Sequence, residues 1–443
     1  MNDLPLSQRL SHTGFRRYFA NTSWLMAERV VHMGVAVLVG IYVARYLGPE
    51  RFGILSYATS FVGLFSAISM LGLDSIVVRE LVKDETRRDE LLGTAFWLKL
   101  GGALLVLLQL TVVLQVIGNT AQENLLIFII AAGLLFQSVK VIDLYFQSKV
   151  NSRYVVQAQL TQVAISSAAK LTLVAIQAPL LWFALVAMAD SAVLSLGLIV
   201  NYLRQHQSLK RWQFRLETAK ALLRDSWPLI LVGIATSFNL KVDQVMLKKM
   251  LDAEAVGNYA AAVSLSEAWY FVPMAITTSV FPAIIKAKQV SEELYYQRLQ
   301  RLCDLMIWLS VAIALPVTFL SGWIVTLLYG PKFTSAGMVL TIHIWAGVFV
   351  FLQNASKRWF VTENIQKIMN YNLVLGVIIN IILNYILIPK FGIVSAAYST
   401  LISYGIAFHF GNLFYKQTRK LYFMQIRAML FISLFNNNRF GRK

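Results

Sequence analysis

Glu28, Arg29 and His32 interrupt an apolar stretch, Trp24 to Tyr46, that is long enough to cross a bilayer. An arginine near the centre of a spanning helix costs roughly 2.5–3.5 kcal/mol on insertion scales, so it should face protein or a water-filled cavity. Lys140, Lys170 and Lys241 break three further apolar stretches in the same way. With Arg29 they make four candidate substrate-binding cations, and the ligand they suit is a delocalised anion such as a diphosphate. Lys99, near the end of another apolar stretch, is expected to snorkel to the interface. The intramembrane acids Glu28, Asp190, Asp243 and Glu267 are candidates for ion coupling, because carboxylates in such places relay protons or bind Na⁺ in transporters. Pairing with a nearby cation is the alternative for each of them, and Lys140 with Asp143, three apart on a helix, is the plainest case. Neither a catalytic group nor a metal or cofactor is expected. The sequence has no G-x-x-x-x-G-K-[ST] phosphate loop and no H-E-x-x-H, its five His are scattered, and Cys303 is its single cysteine.

Helices that cross a membrane must position these groups. With 57% hydrophobic and 14% charged residues and a mean hydropathy of +0.61, the chain is far from a soluble domain, where about 25% of residues are charged. Its 443 residues accommodate about twelve spans of roughly 20 residues with short connections, because the hydrocarbon core is about 30 Å thick. Candidate spans fall between residues 22 and 415, and their continuous apolar runs disfavour a barrel. With a cytoplasmic amino terminus, 29 of the 40 Lys and Arg fall in inside segments, 6 in outside loops and 5 within spans. That asymmetry places both termini in the cytoplasm. It also accounts for the net charge of +18 without nucleic acid, since the cations are spread over many loops beside an anionic leaflet.

The fold class expected is therefore an all-α polytopic membrane protein with about twelve transmembrane helices in two six-helix bundles around a central cavity. Residues 1–20, with Arg9, Arg16 and Arg17 among apolar side chains, read as a basic amphipathic arm on the cytoplasmic side. The first bundle is assigned to 21–204 and the second to 227–416. Between them runs a basic cytoplasmic linker, 205–226, with Pro228 in the first turn of span seven. At an offset of 204, Glu50, Gly53, Ala58 and Ser60 meet Glu254, Gly257, Ala262 and Ser264, each set marking the first outside turn of its half. Both halves begin from the same side, so the repeat is parallel. Residues 417–443 form a basic amphipathic tail, and the short apolar segment from Leu421 to Phe435 is placed on the cytoplasmic membrane surface.

Asn21, Glu28-Arg29, Tyr46-Leu47-Gly48-Pro49-Glu50-Arg51-Phe52-Gly53, Leu71-Gly72-Leu73-Asp74 and Arg79-Glu80, with the Val256-Gly257-Asn258-Tyr259 turn, resemble the Wzx-type polysaccharide flippases. These belong to the multidrug/oligosaccharidyl-lipid/polysaccharide exporter superfamily. The resemblance implies a flippase that moves an oligosaccharide on an undecaprenyl diphosphate carrier by alternating access, for O-antigen or other surface polysaccharide, in a bacterial cytoplasmic (inner) membrane. Its implied partners are that lipid-linked oligosaccharide, the bilayer and other polysaccharide assembly proteins, with no nucleic acid. The related lipid II flippases usually carry two further spans and several cavity arginines, whereas this chain has mostly lysines, which argues against a peptidoglycan precursor as cargo. Two rivals remain. A membrane polymerase or ligase should need a sizeable outside loop, and the outside loops here are short. A multidrug exporter of the same superfamily would move cations, which cavity cations repel.

Overall fold

The computed structural model of the chain describes residues 13–430, and among these it is helical with no strand. The first helical run, Thr13–Met70, is two helices joined at Gly48, whose φ of 71° and ψ of 171° only glycine adopts readily. Pro49 then opens the second helix, where its fixed φ is suited and no intrahelical N–H is needed. These are α1, up to residue 47, and α2, residues 49–70. The chain continues through α3 (Asp74–Lys83), α4 (Arg88–Ile117), α5 (Ala121–Gln137), α6 (Val141–Ser148), α7 (Arg153–Ala175) and α8 (Leu180–Arg204). The later elements are α9 (Leu216–Met250), α10 (Ala253–Glu267), α11 (Phe271–Val290), α12 (Glu292–Tyr329), α13 (Thr334–His343), α14 (Ala346–Thr362), α15 (Gln366–Phe391), α16 (Ile393–Phe408) and α17 (Arg419–Met429).

All twelve expected spans fall on helices, although several are broken. Nine helical segments among the described residues are long and apolar enough to cross a membrane, or ten if one bent pair is a single span. The run through α1, α2 and α3 counts there as one segment but holds two spans. α7 fails that test because Gln157, Gln159, Gln162, Ser166, Ser167 and Lys170 dilute its apolar residues. The breaks recur in the two halves. Span two parts into α2 and α3, and span eight into α10 and α11; span four parts into α5 and α6, and span ten into α13 and α14. The last pair is bent by 44°. A shared pattern of broken spans is a stronger sign of a parallel repeat than four matched residues.

Packing divides the chain into two compact units. The first holds residues up to Val43 with Ala58–Ser237, and the second holds Ala44–Tyr57 with residues from Phe238 onward. The unit boundary falls inside α9, which begins at Leu216. Pro228 is thus an interior residue of α9, not a first-turn residue as expected. The helix starts twelve positions earlier because Thr94 and Glu90 hold the preceding segment: Thr94 Oγ1 accepts from Arg215 N at 3.1 Å, and the Thr218 hydroxyl donates to Glu90 Oε1. Arg87 Nη2 also donates to Glu90, at 2.7 Å. In the adjoining loop, Asp84 accepts from Thr86 Oγ1 at 2.6 Å and from Thr86 N at 3.0 Å, which holds its carboxyl below the usual carboxylate range.

The first unit has its core where α3, α4, α6 and α8 meet, around Leu73, Val77, Leu92, Ile142, Phe146 and Tyr202. On α4, Trp97, Leu104, Leu108, Val112 and Val116 are exposed at helical spacing, an apolar stripe suited to lipid. In the second unit, Tyr295, Leu299, Phe351 and Trp359 form a core that also takes Leu421, Met424 and Ala428 of α17. Buried Gln425 fixes α17 further, donating to Ser356 Oγ at 3.0 Å and bonding His409 Nδ1 at 2.8 Å. The described part of the tail therefore docks on protein through one face. Of the expected arm 1–20, residues 1–12 lie outside the described residues, as does the tail beyond Leu430.

The offset of 204 has a physical counterpart within the second unit. A methyl on Gly53 would overlap the carbonyl oxygen of Ala253, and a methyl on Gly257 would overlap that of Pro49. Pro49 and Gly53 stand 204 positions before Ala253 and Gly257. Equivalent residues thus touch reciprocally, the pattern of a two-fold contact, and glycine is needed because the helix starts approach backbone to backbone.

Candidate transport sites

Each candidate residue has a definite place within its own unit. In the first unit Lys99 is enclosed by protein: its side chain is 1% exposed, and Nζ donates to Asp74 Oδ1 at 2.5 Å. Snorkelling fails because the break at Leu71–Gly72–Leu73 brings Asp74, the first residue of α3, to the ammonium. Gly72 permits that turn with a φ of 59° and lies against the backbone of Leu229 and Ile230. Asp74 is about half exposed while Lys99 is enclosed, so the two truncations are unequal. Asp74→Asn, which strands a buried ammonium, is expected to destabilise by about 3–5 kcal/mol, and Lys99→Met by clearly less. Thermal unfolding in detergent checks this; equal losses, or none, would contradict it.

Lys140 lies in a short turn, Ser138–Lys140, that breaks span four between α5 and α6. It interacts electrostatically with Lys99, Asp143 and Asp74, so it belongs to a four-member charge cluster rather than to a simple pair with Asp143. Glu28 is buried and bonded to His32 Nδ1 at 3.2 Å, one helical turn away, while Arg29 is exposed on α1. Lys170 Nζ donates to Asp190 Oδ2 at 3.1 Å, joining α7 to α8. This pair opens on a cavity of about 180 Å³ that His32 of α1 and Gln162, Ser166 and Ser167 of α7 also line.

In the second unit Asp243 of α9 is the hub of a buried polar cluster. Its Oδ2 accepts from Tyr259 Oη at 2.7 Å and from Thr400 Oγ1 at 2.6 Å, and its Oδ1 accepts from Asn384 Nδ2 at 2.6 Å. Asn384 Nδ2 also donates to Asn380 Oδ1, at 3.1 Å, whereas Asn384 Oδ1 is buried with no hydrogen-bond partner. Glu267 ends α10 at the break before α11 and interacts electrostatically with Lys241 and Asp243. An oxygen-rich cluster with one carboxylate and a spare buried acceptor has the donor chemistry for a proton or a small alkali cation.

Four members of that cluster escape a search for charges. Tyr259, Asn380, Asn384 and Thr400 are neutral. The two asparagines had a signal, the spacing of Asn372, Asn380 and Asn384, polar residues at multiples of four along an apolar helix and all buried. The stripe of Gln162, Ser166 and Lys170 on α7 has the same spacing and faces the cavity.

Helical spans that bury ionisable and amide side chains define a multi-pass membrane protein. Residues 18–288 match the polysaccharide biosynthesis protein family, and residues 228–386 match the MatE family. The first match takes in well over half of the chain, which belongs to the polysaccharide biosynthesis protein family. Among curated proteins it is similar to the probable low-salt glycan biosynthesis flippase Agl15 of Haloferax volcanii, 22% identical over 399 residues, 86% of this chain and 80% of that protein. Two solved structures share the fold. One is an inward-facing multidrug resistance MATE family transporter, with a TM-score of 0.66 and 14% identity over 88% of this chain and 96% of the other. The second is the lipid II flippase MurJ in an inward closed conformation, with a TM-score of 0.65 and 14% identity over 95% and 94%.

Proposed function

We propose that the chain is a flippase that carries an oligosaccharide on a polyprenyl diphosphate lipid across the cytoplasmic membrane for surface polysaccharide synthesis, O-antigen being one such product. In a bacterial membrane the carrier would be undecaprenyl diphosphate. The observation that carries the reading is the exposed Arg29 on α1, in a chain of the polysaccharide biosynthesis protein family. Its planar fork can take phosphate oxygens two at a time, whereas Lys140 and Lys241 act as point charges and serve as further cations. Lys170 is neutralised by Asp190 and leaves the diphosphate role to the others.

Transport is coupled to an ion through Asp243 above all, with Glu28 and Glu267 as further carboxylates. Both termini and the 205–226 segment face the cytoplasm, as the 29 to 6 division of basic residues favours. The MatE match allows a second reading, export of amphipathic cations. Intramembrane cations disfavour that cargo.

Arg29→Ala is expected to abolish polysaccharide export and to leave lipid-linked oligosaccharide on the cytoplasmic leaflet, with Arg29→Lys restoring part of the export. Quantifying surface polysaccharide and lipid-linked sugar at matched membrane levels tests this. Normal export by Arg29→Ala would remove the diphosphate site.

A further inference from the structure

We propose that the cavity of the first unit, bounded by α1, α7 and α8, is a subsite for the sugar of the cargo and not for its diphosphate. The proposal rests on the flippase reading and assigns one part of the substrate to one place. At about 180 Å³ the cavity far exceeds the roughly 10–15 Å³ that a single water needs, and it has room for a sugar ring.

Its lining is electrically balanced. Lys170 is paired with Asp190 at 3.1 Å, and His32 is bonded to the buried Glu28 at 3.2 Å. A diphosphate placed here would meet the Asp190 carboxylate next to the only lysine of the lining, so attraction and repulsion would largely cancel. A sugar hydroxyl both donates and accepts, and needs both kinds of partner within reach. The lining supplies them: Lys170 donates, Asp190 accepts, and Gln162, Ser166 and Ser167 do either. Gln162, Ser166 and Lys170 stand four residues apart, so one face of α7 presents an amide, a hydroxyl and an ammonium in a row. The apolar remainder, Ala36, Val39 and Val43 of α1, gives a surface for the C–H face of a sugar ring.

The test uses the full chain in nanodiscs and two probes, a polyprenyl diphosphate and the same lipid bearing an uncharged disaccharide. The Lys170→Met, Asp190→Leu double variant and Gln162→Leu, which leaves the ion pair intact, should each weaken binding of the glycosylated lipid about tenfold. Binding of the bare diphosphate should change less than about twofold. Equal losses for both lipids would make this an anion site and overturn the proposal. Unchanged binding of both lipids by both variants would make the ion pair a structural brace, with the same result. Failure of the wild type to bind either lipid would instead remove the flippase reading, and the subsite with it.

Discussion

Gly257→Ala is expected to lower the stability of the second unit by about 1–3 kcal/mol and to stop transport. The added methyl meets the Pro49 carbonyl, which is backbone and cannot rotate away, so the starts of α2 and α10 must separate. Gly53→Ala should do the same through Ala253. Because one contact is strained from both sides, the double variant should lose less than the sum of the single losses: once the helices part, the second methyl finds room. Gly34→Ala and Gly101→Ala, where a methyl would meet nothing within 4 Å, serve as tolerated controls. Thermal unfolding of the four single variants and the double variant measures all of this. Additive losses would show that the two glycines do not share one contact.

Asp243→Asn is expected to abolish gradient-driven export while leaving normal amounts of protein in the membrane. The carboxylate accepts three hydrogen bonds, from Tyr259, Thr400 and Asn384, and is enclosed by protein. An amide of the same shape keeps the volume but loses the charge that a coupling ion or proton would answer. It also turns an acceptor into a donor, facing groups that already donate. Asn384→Ala, which removes the spare acceptor together with one donor to Asp243 and keeps the charge, should weaken the dependence on the ion more than it lowers the maximal rate. Transport measured against a Na⁺ gradient and, separately, a proton gradient distinguishes the two ions. Full gradient-driven transport by both Asp243→Asn and Glu267→Gln would remove these residues from coupling.

Spans and turns were legible because both arise from local chemistry. Twenty apolar residues in a row have few fates other than a membrane, and Gly48-Pro49 combines the residue that tolerates a positive φ with the one that starts a helix. The repeat was visible as Gly53 and Gly257, yet only the structure shows that the two touch. Where the sequence misled, tertiary contacts were the cause. Hydropathy averaged over a span does not mark the breaks at Leu71–Gly72–Leu73, at Ser138–Lys140 and between Glu267 and Phe271, because apolar residues flank each of them on both sides. The first of these carries Asp74 to Lys99 and reverses the expected exposure of that lysine. Pro228 looked like a helix start because proline favours one, but packing around Glu90 and Thr94 extends α9 beyond it. In the second unit the neutral partners of Asp243 carry no charge signal, and the buried amide stripe of α15 is visible only once periodicity is sought among polar residues as well.

The central claim is tested most directly by reconstituting the purified full chain into liposomes. These would hold a polyprenyl diphosphate bearing a fluorescent disaccharide, and the measurement is the rate at which inner-leaflet sugar becomes accessible to a membrane-impermeant quencher. The account expects accessibility to rise at least about tenfold faster than in protein-free vesicles, under an imposed ion gradient, and the Arg29→Ala protein to match the protein-free rate. Equal rates with and without the wild-type protein, together with gradient-driven uptake of an amphipathic cation, would contradict it.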